Sequence, residues 1–168
     1  MKAMPASPED LFAYLDSFGI THSTVWHEAM FTVAQSGALK GDMPGAHTKN
    51  LFLKDAEGTL VLIAAEAHNQ LKLNQLHKLI GTKRLSFAPA ELMSQVLGVA
   101  PGSVTAFALM NDTQRHVRFL VDTVLAAAET VNFHPLVNTG TTAISQAGLR
   151  RFVEATQHRF EVVDFSGL

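Results

Sequence analysis

The stretch TKNLFLKDAEGTLVLIAA, residues Thr48–Ala65, decides the class of fold. Two apolar runs, LFL and LVLIAA, stand on either side of the segment DAEG, whose aspartate and glycine are typical of turns. Short apolar runs separated by a turn are typical of paired strands. The stretch therefore predicts a β-hairpin with strands at Thr48–Lys54 and Thr59–Ala65.

Helix and strand patterns extend from this hairpin in both directions. Ser7, Pro8 and Gly19 mark the start and the end of an N-terminal helix by their capping preferences. Further helices are predicted at Phe31–Leu39, Leu71–Ile80, Pro89–Leu97 and Gln146–His158, and further strands at Ser23–Glu28, Arg84–Phe87, Val104–Met110, Val117–Val121, Thr130–Phe133, Thr141–Ser145 and Arg159–Phe165. Strict strand–helix alternation is absent, which argues against a doubly wound fold. The sequence predicts an α+β fold, with a curved, largely antiparallel or mixed sheet, or barrel-like core, and flanking helices.

Length and composition restrict the class of protein. A chain of 168 residues is expected to form one domain, spanning 1–168, with a sizeable core. It contains no cysteine, which excludes disulfides, a thiolate nucleophile and cysteine-based zinc sites. No apolar run approaches the roughly 20 residues of a membrane span, and the N-terminus lacks the apolar segment of a secretory signal. A cytoplasmic protein without membrane contact is expected.

The charge of the chain is unevenly distributed. The net charge is −2, so neither general nucleic-acid binding nor DNA binding is expected. Residues 40–84 nevertheless carry seven basic and four acidic side chains. This excess can form a modest basic face that holds a few phosphates, or simply a solvated surface.

Polar side chains occur beside the predicted strands where an apolar strand has no need of them. Lys49 can bind a phosphate as a point charge, or can serve as a solubilising residue of an edge strand. Asn50 can hydrogen-bond a carbonyl or an amine, or can cap the preceding loop. His134 precedes Pro135, which holds it extended, and its imidazole titrates near neutrality. Each can also be an ordinary surface or structural residue.

A glycine turn after the Pro89–Leu97 helix is the third candidate. Gly102 lets the backbone approach a ligand, and the N–H groups that follow, beginning with Ser103, can form an anion nest or an oxyanion hole. An ordinary helix-to-strand turn is the alternative. No nucleophile elbow, phosphate loop or HExxH motif is present, and Ser103 has no evident triad. Neither a metal nor another cofactor is therefore expected.

Three segments together resemble the YbaK/prolyl-tRNA-editing family, and most of all its free-standing members that deacylate Ala-tRNA(Pro), the ProXp-ala or PrdX type. They are GAHTKNLFLKD (Gly45–Asp55), LSFAPAELMSQVLGVAPGSVTAFALMND (Leu85–Asp112) and VNFHPLVNTGTTAIS (Val131–Ser145). The resemblance covers nearly the whole chain. It departs from the family at Ala106, which stands where the GxxxP loop of the family has proline.

The resemblance implies a function and roles for the candidate residues. It implies a mixed α/β fold and hydrolysis of the ester that joins a wrong amino acid to the terminal adenosine of tRNA(Pro). Lys49 would bind near the terminal phosphate, His134 would contact the aminoacyl end beside Asn50, and the Gly102 loop would supply backbone contacts.

A mechanism and its alternatives follow from these roles. Because the chain has no cysteine and no triad, water is the expected nucleophile, aided by positioning and by oxyanion stabilisation near Gly102. Phe31 and Thr32 are candidates for the wall of the amino-acid pocket, although Phe31 can equally belong to the core. The expected partners are the acceptor end of tRNA(Pro) and, as a second candidate, prolyl-tRNA synthetase. Deacylation of Cys-tRNA(Pro) and a silent module that binds tRNA ends or a synthetase remain open.

Overall fold

The predicted hairpin is the centre of the sheet. The structure, a computed structural model, describes residues 5–29 and 43–166. In it the strands β2 (Ala46–Asp55) and β3 (Leu60–Glu66) pair antiparallel, with Leu51 opposite Ile63. Asp55 accepts backbone hydrogen bonds from the amides of Glu57 and Thr59, which closes the turn between them.

Six more strands and five helices complete the described part. The strands are β1 (His22–Trp26), β4 (Leu85–Phe87), β5 (Val117–Asp122), β6 (Thr130–Phe133), β7 (Gly140–Ser145) and β8 (Glu161–Val163). The helices are α1 (Pro8–Ser17), α2 (Leu73–Ile80), α3 (Ala90–Leu97), α4 (Thr123–Ala127) and α5 (Gln146–Ala155), with a 3-10 helix at Ala106–Asn111.

The sheet is mixed. Its strands follow the order β1-β7-β6-β2-β3-β5-β8, and β4 pairs with β2 outside this path. The pairs β2–β6, β3–β5 and β5–β8 are parallel, and the others are antiparallel. The expectation of an α+β fold with a mixed sheet and flanking helices is confirmed.

Apolar side chains cover the sheet on its two faces. The larger cluster lies on the face that carries Phe52 and Phe133, and it includes the buried side of α1 and α5 and the 3-10 helix. The smaller cluster lies on the opposite face, where Leu76 and Ile80 of α2 pack with Leu53 and its neighbours. Side chains alternate between faces along a strand, so each residue of β2 belongs to a definite side of the sheet.

Local capping explains where the helices begin and end. Ser7 and Asp10 form a reciprocal capping box at the start of α1. Gly81 and Gly98 adopt left-handed conformations at the ends of α2 and α3, where residues with a Cβ are disfavoured. Within the described residues no helix is long and apolar enough to cross a membrane.

One predicted strand is wrong. The segment Val104–Met110 contains the 3-10 helix instead, and the hydroxyl of Thr105 accepts the amide hydrogen of Phe107 at its start. Four consecutive residues of it, Ala106 to Leu109, are buried. A short apolar run buried on all sides has no helical or strand periodicity, and periodicity was the basis of the prediction. The helix predicted at Phe31–Leu39 lies outside the described residues.

Candidate functional site at a break in the sheet

One edge of β2 is interrupted. On the side away from β3, its first residues, Ala46 and His47, pair with β6, and its last, Leu53–Asp55, pair with β4. The amide of Ala88 still donates to the carbonyl of Phe52. In the described part of the chain, residues 48–51 have no strand partner on this side. The sheet therefore opens at the point where the sequence carries its polar pair.

Lys49 lies on the face of the smaller apolar cluster. Its register partner in β3 is Ala65, a member of that cluster, and its side chain is half-buried. Burial lowers the pKa of its ammonium group, while the charge of Glu66 opposes that shift. The result is a partly desolvated cation beside the break, where an anion would interact with it more strongly than in open water.

Asn50 points to the other face. Its register partner is Ala64, which belongs to the larger cluster, and its Nδ2 donates to the hydroxyl of Thr48 over 3.2 Å. Its Oδ1 is buried and has no hydrogen-bond partner. A buried carbonyl oxygen without a donor is costly, so this atom is a ready acceptor for a ligand that enters the break.

His134 follows the last residue of β6 at the same break. The parallel register ends where His47 lies beside Asn132, at the start of the break. His134 comes one residue after Phe133 of the larger cluster, so alternation along the chain puts it on the opposite face, that of Lys49. Its Nδ1 lies 3.1 Å from the carbonyl oxygen of Gly140. A carbonyl can only accept, so Nδ1 carries the hydrogen and Nε2 of the neutral ring is an acceptor.

The surroundings of His134 favour that neutral ring. Burial lowers the pKa of the imidazole, the bond to Gly140 opposes this, and the nearby His27 lowers the pKa further. Desolvation disfavours the charged form of any histidine. The ring is therefore suited to accept a hydrogen bond or a proton at neutral pH.

His27 is a site residue that the sequence did not single out. Its Nδ1 lies 2.7 Å from the carbonyl of Glu28, and its Nε2 lies 2.8 Å from the hydroxyl of Thr141. Its backbone amide donates to Thr139. The long-range pairing of β1 with β7 brings His27 close to His134, and no local sequence pattern predicts that pairing.

Two further residues that the sequence did not single out hold the edge of the break. The hydroxyl of Thr48 donates to the carbonyl of Asn132 over 2.7 Å. The side chain of Asn132, almost fully buried, donates to the carbonyls of Pro44 and Ala46. The segment that precedes β2 is therefore fixed against the end of β6. In the sequence, the occurrence of polar residues within predicted strands was the signal that could have identified Thr48 and Asn132.

The 3-10 helix that follows the glycine turn packs in the larger cluster, on the face of Asn50. Gly102 is exposed with a positive φ of 89°, whereas Ser103 is buried. The turn leads into the 3-10 helix, whose Phe107 ring lies 5.7 Å from that of Phe133, the residue before His134. This aromatic pair packs the 3-10 helix against the end of β6.

The structure therefore brings three predicted residues to the break: Lys49 and His134 on one face, and Asn50 on the other. The roles of Gly102 and Ser103 stay predictions. Phe31 and Thr32 lie outside the described residues. Among residues 5–29 and 43–166 there is no group of three side chains that could hold a metal ion.

Comparison with known proteins gives a consistent picture. Residues 27–152 match the family model described as the aminoacyl-tRNA editing domain. The chain is 32% identical to prolyl-tRNA synthetase associated domain-containing protein 1 of Danio rerio, over 94% of this chain and 86% of that protein. It is 28% identical to the prolyl-tRNA editing protein ProX of Acetoanaerobium sticklandii, over 92% of this chain and 94% of that one.

A solved structure shows the same fold. It is a candidate trans-editing enzyme for prolyl-tRNA synthetase, and it superposes with a TM-score of 0.69 over 96% of this chain and 98% of its own, at 19% identity. The mixed sheet with its flanking helices is therefore the architecture of both molecules.

Proposed function

Because the chain belongs to the aminoacyl-tRNA editing domain family, we propose that it is a trans-editing deacylase that hydrolyses the ester of Ala-tRNA(Pro). The observation that carries the proposal is the break in the sheet, which has a desolvated cation and a neutral imidazole on one face and an unpartnered amide oxygen on the other. These are groups that bind a phosphate, a water molecule and an amino group.

Lys49 anchors the terminal phosphate. Its ammonium group is partly desolvated and lies where β2 has lost its neighbour, so a phosphate can approach it without displacing a strand. A lysine binds phosphate as a compact point charge. The terminal adenosine would then lie along the face that also carries His134.

The amino acid passes through the break toward Asn50. The buried Oδ1 of Asn50 accepts a hydrogen bond from the amino group of the substrate. The 3-10 helix that follows the glycine turn packs on this same side of the sheet, which supports a role for the turn there. The Ser103 amide already donates to the carbonyl of Ala100, so we assign to the Gly102 amide the stabilisation of the negative charge that develops on the ester carbonyl oxygen.

Water is the nucleophile. Nε2 of His134 accepts a hydrogen bond from it and orients its oxygen toward the carbonyl carbon of the ester. A bond forms between that oxygen and carbon, and the bond from the carbon to the ribose oxygen breaks. The attacking water gives up a proton and the ribose oxygen takes one up, so alanine and tRNA with a free terminal ribose are released. A ribose hydroxyl assists this transfer.

Selection between alanine and proline rests on the size of the pocket. Favourable contacts with one or two methylene groups change the binding free energy by only about 1–3 kcal/mol. Steric exclusion of proline must therefore contribute to the selection. Phe31 and Thr32 are the candidates from the sequence for this role. The partners of the protein are then the acceptor end of tRNA(Pro) and prolyl-tRNA synthetase.

The experiment that tests the proposal is direct. Purified protein is mixed with Ala-tRNA(Pro), and the release of alanine is followed beside a sample without protein. Faster release supports the deacylase. Binding of the tRNA without release would reject it in favour of a silent module that binds tRNA ends, and release of cysteine alone would reassign the substrate to Cys-tRNA(Pro).

A further inference from the structure

Phe87 is the most exposed of the large apolar side chains in the described part of the chain. It is the last residue of β4, at the border of the break, and 61% of its surface is accessible. Leu85, two residues earlier on the same face, packs against the smaller cluster. No aromatic ring of a described residue lies against Phe87, so its ring has a free face.

Phe87 lies on the same face as Lys49. Its register partner in β2 is Leu53, and Lys49 is four residues from Leu53 along that strand. Residues an even number apart share a face, and four residues span about 13 Å. The surface between Lys49 and Phe87 lies along the residues of β2 that have no strand partner.

The approach to Phe87 is positively charged. Lys83 and Arg84 precede β4, both are exposed, and neither forms a salt bridge with a described residue. Single-stranded nucleic acids bind where basic side chains follow the backbone and aromatic rings stack on the bases. An exposed ring between one cation in the break and two beyond it has this arrangement.

We propose that Phe87 is a stacking platform for an unpaired nucleobase of the tRNA acceptor end. The strand runs from Lys49 along the edge of β2, places a base on the Phe87 ring and continues toward Lys83 and Arg84. The inference rests on the proposed function because it takes the acceptor end as the ligand. It adds a base-binding subsite outside the ester-hydrolysing residues.

Binding of uncharged tRNA tests this subsite without any catalysis. Trp26 is the only tryptophan of the chain, so Trp26→Phe combined with Phe87→Trp carries one fluorescent reporter at the proposed platform. The expected result is quenching of its emission by uncharged tRNA(Pro) with an intact CCA end. The same tRNA without its CCA end should not quench it.

Affinity provides the second measurement. Phe87→Leu keeps an apolar side chain but removes the ring, and roughly 5- to 150-fold weaker binding of uncharged tRNA(Pro) is expected. Phe87→Trp should restore it. The matched control is Phe18→Leu, which removes an exposed ring at the end of α1 and should bind like wild type.

Three results would overturn the subsite, the first two of them from the variants above. One is equal affinity of Phe87→Leu and wild type, and the other is emission that responds equally to tRNA with and without the CCA end. A response to prolyl-tRNA synthetase but not to tRNA would also overturn it, in favour of a protein-docking surface. Each result is distinct from failure of the proposed function, which is the absence of deacylation by the wild type.

Discussion

His27 and His134 are connected through two consecutive residues of the chain. Nδ1 of His134 donates to the carbonyl of Gly140, and Nε2 of His27 lies 2.8 Å from the hydroxyl of Thr141. The two rings are also close enough for the charge of one to affect the pKa of the other. His27 therefore fixes the backbone that fixes the tautomer of the proposed water-binding ring.

Removing the ring of His27 should impair turnover more than binding. His27→Phe loses the bond to Thr141, and we expect kcat to fall by about 10- to 100-fold with little change in KM, since small displacements of an orienting group have such effects. His27→Gln can place an acceptor near Thr141 and should retain most of the activity. Steady-state kinetics of both variants check this, and equal kcat values for the two would contradict it.

The lowered pKa of His134 should be visible in the dependence of the deacylation rate on pH. The neutral ring is the active form, and its pKa lies below the ordinary 6.5 because of burial. After subtraction of the uncatalysed rate, the midpoint of the acidic fall in deacylation should therefore lie below pH 6.5. The rate should fall by about tenfold per unit only below the lowered pKa. A midpoint above pH 6.5 would contradict the assignment.

The pH profile of His27→Gln shows whether His27 raises or lowers the pKa of His134. His27 contributes to lowering the pKa of His134. Without that contribution the pKa of His134 should rise, and the acidic limb of the profile should move to higher pH. An unchanged limb would show that His27 acts by hydrogen bonding alone.

Lys49 should contribute to affinity through charge. Lys49→Ala should raise KM for Ala-tRNA(Pro) or abolish turnover, and the dependence of log Kd on log salt should lose roughly one unit of slope. Lys54→Ala, on the same strand but beyond the break, is the matched control and should retain both values. Wild-type rates for Lys49→Ala at sub-saturating tRNA would refute the phosphate-binding role.

Substitution of Asn50 should affect activity, whereas substitution of Asn132 should affect stability. Asn50→Ala removes a buried oxygen that has no partner, so the free energy of unfolding should stay within about 1 kcal/mol of wild type while deacylation falls. The Oδ1 of Asn132 is also buried without a partner, but Asn132→Ala in addition loses two donations, to Pro44 and Ala46, so its Tm should drop. Thermal unfolding beside activity measurements checks both, and a strongly destabilised Asn50→Ala would contradict the ligand-binding interpretation.

Local patterns predicted part of this molecule for identifiable reasons. The hairpin of β2 and β3 was predictable because its turn chemistry and apolar runs are local in sequence. The placement of His134 directly after β6 was predictable because Pro135 holds it extended. The strand predicted at Val104–Met110 was wrong because a fully buried apolar run carries no period. The segment folds as a 3-10 helix that packs in the larger cluster.

The break in the sheet was not predictable from the sequence. It arises because β4 and β6, far apart in the chain, pair with opposite ends of β2 and leave its middle open. Lys49 and Asn50 are adjacent in sequence, yet their opposite faces matter only once that opening exists. His27 was missed for the same reason, since it reaches Thr141 through a pairing across more than one hundred residues.

Deacylation of four substrates in parallel tests the central claim most directly. These are Ala-tRNA(Pro), Cys-tRNA(Pro), Pro-tRNA(Pro) and Ala-tRNA(Ala), each compared with a protein-free control under identical conditions. A trans-editing enzyme of the proposed specificity releases alanine rapidly from tRNA(Pro) and leaves the other three charged. If all four remain charged, the protein is not a deacylase of these substrates and the proposed function is wrong.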